Sequence, residues 1–158
     1  MATFTIESNG RIEKTAVYFN GEQLGGIKEV FLNLDEEGTF DAILQYEGKD
    51  KEIYTKKIFE DYLTGLRTVE PTFTEEESEE LVALTIESDG DIESTAVFMN
   101  GEVLEGIVSL FVHLKGAENK NGIRNLFRNK TYIPEIPEFR AEITFRNEDN
   151  SLDMEAIF

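Results

Sequence analysis

Residues 5–27, TIESNGRIEKTAVYFNGEQLGGI, return as residues 85–107, TIESDGDIESTAVFMNGEVLEGI, with 16 of 23 positions identical and no gap. A repeat of fixed period constrains architecture more tightly than any local propensity, because each copy has the same faces to bury. The copies stay in register at an offset of 80 through VFLNL (30–34) and LFVHL (110–114). The offset then rises to 99: FDAILQYEGKD (40–50) faces FRAEITFRNED (139–149), and Ile58-Phe59 faces Ile157-Phe158. The second copy therefore carries 19 extra residues between Leu114 and Phe139. A unit of roughly 60 to 75 residues lies near the lower limit for a self-sufficient core, so packing two together eases burial for both.

Apolar residues alternate at Phe4 and Ile6, at Val17 and Phe19, at Val30, Leu32 and Leu34, and at Ala42, Leu44 and Tyr46. That period of two belongs to strands with one buried face. Asn9-Gly10, Asn20-Gly21, Asp89-Gly90 and Asn100-Gly101 separate the runs, and such pairs suit two-residue hairpin turns whose central residues both take positive φ. Gly26 and Gly106 interrupt the third strand at matching positions, as glycines do at a bulge that bends a sheet. The expected fold is mostly β: internally duplicated antiparallel meander units of four or five strands, sandwich or barrel-like, packed side by side, with a short linking helix.

In KIFEDYLTGL, residues Ile58, Phe59, Tyr62, Leu63 and Leu66 fall on one helical stripe, which predicts a helix closing the first copy. Pro71 then stops regular structure, and the EEESEE run at 75–80 favours an extended path through repulsion. The expected organisation is a first β repeat with its terminal helix at 1–66, an acidic linker at 67–80, and a second β repeat at 81–158 with an insertion at 115–138.

A 40% hydrophobic content with 12 Phe fills a globular core. Cysteine is absent, which rules out a disulfide framework and a thiolate metal site and leans towards a reducing compartment. No apolar run reaches the length of a membrane span, and MATFTIES has no basic and apolar signal region, so the expected location is cytoplasmic or, in an assembled particle, the virion. The net charge of −18 is spread unevenly: 11 acids against 7 bases in 1–59, 8 acids against Arg67 alone in 60–80, and 14 against 7 in 81–158. Such a surface repels nucleic-acid phosphates and membrane headgroups and attracts basic proteins or cations.

Little in the chain points to chemistry. Asp89, Asp91 and Glu93 stand at every second position, a spacing that gathers oxygen ligands around calcium, but the first copy has Arg11 where Asp91 stands, and the loop lacks the later glutamate of an EF-hand. The weak metal candidates are thus set aside for an exposed hairpin. His113, the single histidine, replaces Asn33 of the first copy; alternation puts it on the more exposed strand face, with no second histidine or cysteine to make a zinc site or a nucleophile pair. Phosphate loops, nucleophile elbows and dinucleotide fingerprints are absent. Neither an enzyme nor a cofactor is expected. Tyr18, Tyr46, Tyr54 and Tyr132 offer rings for a sugar or small ligand, by fold analogy alone.

The insertion stands apart. Residues 115–132 hold Lys115, Lys120, Arg124, Arg128 and Lys130 against Glu118 alone, a local charge of +4. Ile123, Leu126 and Phe127 form an apolar side for a short helix with Arg124 and Arg128, and the two prolines of TYIPEIPEF stiffen the return. Insertions of this length are usually functional or disordered. Three destinations are open: the protein's own acidic surface, a neighbouring copy in a head-to-tail contact, or a different protein with Arg124, Phe127, Arg128, Lys130 and Tyr132 as anchors.

The pattern Val-x-x-Asn-Gly-Glu-x-Leu-x-Gly-Ile at 17–27 and 97–107, followed by an alternating strand, resembles short β-rich proteins encoded by bacteriophages of low-GC Gram-positive hosts. The resemblance covers about 25 residues of each copy and implies a virion component or an accessory protein, with no active site carried over. The expected function is a non-enzymatic protein-interaction or assembly component, its partner another protein or itself, working through the insertion and exposed sheet edges. The alternative is an acidic DNA mimic that occupies the nucleic-acid site of a host enzyme. That reading rests on the −18 charge and the carboxylates of 70–80, and has 15 basic residues against it.

Overall fold

Strands account for most of the computed structural model, which describes residues 2–115 and 138–158. The first copy contributes β1 (Ala2–Ser8), β2 (Thr15–Phe19) and β3 (Glu22–Gly25) to one sheet, then crosses to the other as β4 (Ile27–Asp35), β5 (Phe40–Glu47) and β6 (Ile53–Lys57). A two-residue strand β7 (Arg67–Thr68) and a helix α1 (Glu75–Glu79) lead into the second copy. There β8 (Val82–Ser88), β9 (Ala96–Met99) and β10 (Glu102–Val103) join the first sheet, and β11 (Ile107–Lys115), β12 (Glu138–Arg146) and β13 (Leu152–Ala156) join the second. The orders are β10-β9-β8-β1-β2-β3-β7 and β13-β12-β11-β4-β5-β6, antiparallel at every pairing.

The copies meet in the middle of both sheets. Between β1 and β8 the register sets Thr5 opposite Thr85, and between β4 and β11 it sets Leu32 opposite Val112. Each pair joins a residue to its counterpart 80 positions on, so the chain is laid out about a local two-fold axis running through both sheets. The two threonine hydroxyls on that axis are hydrogen-bonded at 2.9 Å. One core spans both sheets, with Phe4, Ile6, Leu84 and Ile86 of the first packed against Val30, Leu32, Leu44, Leu110, Val112 and Ile143 of the second. The alternating runs read from the sequence supply this core: Phe4, Ile6, Val30, Leu32, Leu44 and Tyr46 are all at most 1% exposed. Burial of a Leu or Ile side chain stabilises by about 1.5–3 kcal/mol, so the shared core, not either copy alone, holds the fold. Side-by-side packing is realised as two half-sheets per copy, joined edge to edge.

Several local expectations change. Among the described residues each copy has six strands instead of four or five, because the expected third strand breaks in two. Gly26 and Gly106, at φ 73° and 74°, turn the chain out of one sheet and into the other, and a register shift follows at Ile27/Glu29 and at Ile107/Ser109. Positive φ at these corners is freely available only to glycine. Asn20-Gly21 and Asn100-Gly101 form the expected hairpin turns with positive φ at both residues, whereas at Asn9-Gly10 and Asp89-Gly90 only the glycine is positive. Those loops run on through 3₁₀ turns at Ile12–Lys14 and Ile92–Ser94 because fully buried Ser8 and Ser88 hold them closed. Each serine hydroxyl accepts from the following glycine amide and bonds Thr15 or Thr95 at 2.8 or 2.7 Å.

The predicted helix at 58–66 is absent. Ile58 and its neighbours form turns, with Ile58 2% and Tyr62 85% exposed, so the stripe was a loop tucking some residues onto the core. Asp61 caps the turn by accepting from the Lys57 amide at 2.8 Å, and Gly65 leaves it at φ 63°. The acidic linker is not extended throughout either: β7 pairs with β3, and Glu75–Glu79 is helical. A capping box overcomes the repulsion, with Thr74 Oγ1 accepting from the Glu77 amide and Glu77 Oε1 from the Thr74 amide. Lys14 also lies 3.7 Å from Glu77, and Ser78 donates to Glu7 at 3.0 Å, which seats the helix on the outer face of β1.

Candidate interaction surface

The residues singled out for chemistry are spent on structure. Asp89 accepts from the Asp91 amide and Asp91 from the Glu93 amide, so two of the three weak calcium candidates shape their own loop. Among the described residues no group of three or more His, Asp and Glu side chains is placed to hold a metal. His113 lies on the outer strand face, as alternation predicts, between buried Val112 and Leu114; there it is half-buried beside Phe31, with Nε2 2.6 Å from Glu29 Oε1 across the β4–β11 junction. Of the tyrosines offered to a ligand, Tyr46 is wholly buried and donates to the Thr64 carbonyl, while Tyr54 stacks on it at 5.6 Å. Tyr18 is half-buried against Glu7, which together with burial raises its pKa. Arg124, Phe127, Arg128, Lys130 and Tyr132 lie outside the described residues.

Two apolar clefts open where the sheets part, one in each copy, built from equivalent residues. The first, about 160 Å³, is lined by Ile12, Val17, Leu24 and Ile27 with Leu114 from the other copy. The second, about 280 Å³, is lined by Ile92, Val97, Leu104 and Ile107 with Leu34. The difference lies at the rim. In the first copy Gln23 is buried, donating to Thr72 Oγ1 at 2.7 Å and accepting from the Thr72 amide at 2.8 Å, which straps residues 67–72 along β3. In the second copy the counterpart is Val103, 55% exposed at the end of the sheet. Gly25 explains why the strap sits where it does: a Cβ there would approach Val69 to 2.7 Å, and the second copy has Glu105 at that place.

The four sheet edges differ in how well they are guarded. Unpaired strand edges invite another chain, and proteins blunt them by shortening, charging or covering them. β7 closes one end of the first sheet, and β10 at the other end is only two residues long. In the second sheet β6 reads Ile53-Tyr54-Thr55-Lys56-Lys57, with lysines on the edge and the Lys57 amide occupied by Asp61. Its counterpart β13 reads Leu152-Asp153-Met154-Glu155-Ala156, and all five residues are exposed, Leu152 at 54% and Met154 at 68%. The Ile157 amide donates inward to Ala141, so by strand alternation the amides of Leu152, Met154 and Ala156 face outward. Those three residues also share the sheet's outer face, since Met154 pairs with Thr144, next to buried Ile143. This edge was missed in the sequence although the signal was present: at the offset of 99, IYTKK aligns with LDMEA, where Lys56 becomes Glu155, Lys57 becomes Ala156 and Tyr54 becomes Asp153.

Among the described residues no helix is long and apolar enough to cross a membrane. No protein-family model, curated protein or solved structure matches the chain.

Proposed function

We propose that this protein is a non-enzymatic interaction and assembly component that binds another protein chain through the open edge of β13. The observation that carries this reading is the edge itself: five exposed residues, three outward amides, and two large apolar side chains on one face. An incoming extended segment gains backbone hydrogen bonds along such an edge and side-chain contacts on the shared face. The acidic surface turns away nucleic acid as a direct partner and favours a protein with basic groups. The likeness of the Val-x-x-Asn-Gly-Glu hairpin to phage-encoded β proteins supports a place in or around a virion.

Site-specific photo-crosslinking in the cells that make the protein tests this. A benzophenone side chain at Met154 is expected to give discrete crosslinked species, while the same group at Glu76, exposed on α1 against the other sheet, gives none. Equal labelling at both positions, or none at Met154, sinks the reading.

A further inference from the structure

The two ends of the second sheet are complementary to each other, and we infer that the partner of β13 is β6 of a second copy of this chain, added head to tail. The inference rests on β13 being a binding edge and names what binds there.

Topology comes first. The sheet has six strands, each antiparallel to its neighbour. With an even number of alternating strands, the two edge strands run in opposite directions. A second copy moved along the sheet, without being turned over, therefore presents β6 antiparallel to β13 and continues the alternation. Such a contact uses different surfaces on the two copies, so it repeats into a ring or filament.

Charge comes second. The β6 hairpin, residues 48–57, holds Lys49, Lys51, Lys56 and Lys57 against Asp50 and Glu52, a net +2. Its counterpart, residues 147–156, holds Glu148, Asp149, Asp153 and Glu155 with no base, a net −4. The two ends of this sheet thus carry opposite charge, and the basic end faces along the sheet towards the place where the next copy's acidic end arrives. Like charges oppose β13 pairing with β13, and also β6 pairing with β6, which leaves the head-to-tail contact favoured.

Register comes third. Ile58 donates inward to Ala42, so the outward groups of β6 belong to Ile53, Thr55 and Lys57. These three lie on the outer face, since Thr55 pairs with Gln45 and Lys57 with Ile43, on either side of buried Leu44. Setting Met154 opposite Thr55 matches all five residues: Leu152 faces Lys57, Ala156 faces Ile53, and Asp153 faces Lys56. Met154 then lies diagonal to Ile53, which is 50% exposed, so two of the chain's exposed large apolar residues cover one another. Asp61 holds the Lys57 amide, so the new ladder relies on the groups of Ile53 and Thr55.

The test uses the full chain, which has no cysteine of its own. Lys56→Glu/Lys57→Glu makes both edge strands acidic, and Asp153→Lys/Glu155→Lys makes both edge strands basic. Wild-type protein is expected to associate in low salt over about 1 to 500 µM, within the weak-affinity range, and to dissociate as salt screens the ends. Each double variant alone is expected to associate at least about tenfold more weakly, since like charges now face each other across the strands. A one-to-one mixture of the two variants restores association. Single-cysteine variants Asp153→Cys and Lys56→Cys, oxidised together, are expected to give a disulfide between copies that neither gives alone, as opposed Cβ atoms in a non-hydrogen-bonded pair lie about 4.5–5.5 Å apart. Circular dichroism confirms that each variant is folded. Wild-type protein that stays monomeric across the range overturns a second copy as the partner, and crosslinking at Met154 then decides separately whether β13 binds a foreign chain. Association that both charge variants retain alone also overturns this contact while leaving the interaction reading standing.

Discussion

The first copy covers or charges its edges and the second leaves its edges barer, although the hairpins that build the two are nearly the same. In the first copy residues 67–72 lie along β3, Gln23 is sealed by Thr72, and β6 carries lysines with one outward amide capped by Asp61. In the second copy β10 ends the sheet at an exposed Val103, and β13 is exposed from end to end. The core positions on the local axis are equivalent and all buried. Gly25 against Glu105, Gln23 against Val103 and Lys56 against Glu155 are the edge differences that accompany this contrast. Equivalent core residues supply the scaffold, and the differences at the rim set the two copies' edges apart.

The sharpest way to break the comparison is at the corner where the chain changes sheets. Gly26 and Gly106 share the same φ, but the Arg67 guanidinium crosses directly over Gly26, donating to the Glu47 carbonyl at 3.1 Å, whereas a Cβ at Gly106 meets only the Arg146 carbonyl at 3.3 Å. Gly26→Ala is expected to cost about 3 kcal/mol, from backbone strain, displacement of Arg67 and a 2.7 Å approach to the Glu47 carbonyl, and Gly106→Ala about 1–2 kcal/mol from strain. Urea denaturation of the two variants reads the difference as a shift in midpoint. Equal losses would mean that neither Arg67 nor the closer Glu47 carbonyl adds anything at the corner.

Next in size is a conversion of one edge into the other. Gly25→Glu gives the first copy the residue of the second and drives a Cβ into Val69, which lies within 2.7 Å. The expected cost is about 1–3 kcal/mol, typical of overpacking at a close contact. The strap at 67–72 should then lift, seen as loss of hydrogen-exchange protection at the Val69 amide, which donates to the Gln23 carbonyl at 2.9 Å. Retained protection would show that the strap does not depend on the missing side chain. Gln23→Val is a milder version, expected to cost about 1–2 kcal/mol through loss of two hydrogen bonds and exposure of the Thr72 groups.

Of the residues tested, Gly26 and Gly106 read in the sequence as a bend in the sheet, while Gly25 and Gln23 carry no reading there. The strands were legible because alternation at Val30, Leu32 and Leu34 has one physical cause, a buried face. The sheet to which each strand belongs was not, since a period of two is identical in either sheet and only positive φ at Gly26 separates β3 from β4. The expected helix at 58–66 failed because Ile58, Phe59, Leu63 and Leu66 satisfy a helical stripe and a looped strap equally well, and Asp61 and Gly65 decide for the turn. The acidic linker misled in the opposite direction: Thr74 and Glu77 spell a capping box, which outweighed the repulsion read from its neighbours. The candidate site stayed hidden longest, since an open edge is a matter of which strands stand last, and strand order rests on contacts between residues far apart in the chain.

The smallest expected effect sharpens the comparison inside the core. Tyr46 of the first copy corresponds to Phe145 of the second, so the same position is met once with a hydroxyl and once without. The Tyr46 hydroxyl donates to the Thr64 carbonyl at 2.7 Å and ties the turn after β6 to the core; burial, with Asp50 adding to it, raises its pKa. A tyrosine whose folded pKa lies above its unfolded value of about 10 contributes stability that is fully present below that value and is lost as pH rises towards the folded pKa. Tyr46→Phe is therefore expected to cost about 1 kcal/mol near neutral pH, the net worth of one buried hydrogen bond. It should also flatten the fall in stability above about pH 10. Thermal melts of both proteins from neutral to alkaline pH check the two parts together: curves that converge as pH rises support the assignment. Curves that stay parallel would show that Tyr46 ionises as readily in the folded chain as in the unfolded one, and that the hydroxyl matters to the first copy only as a tether.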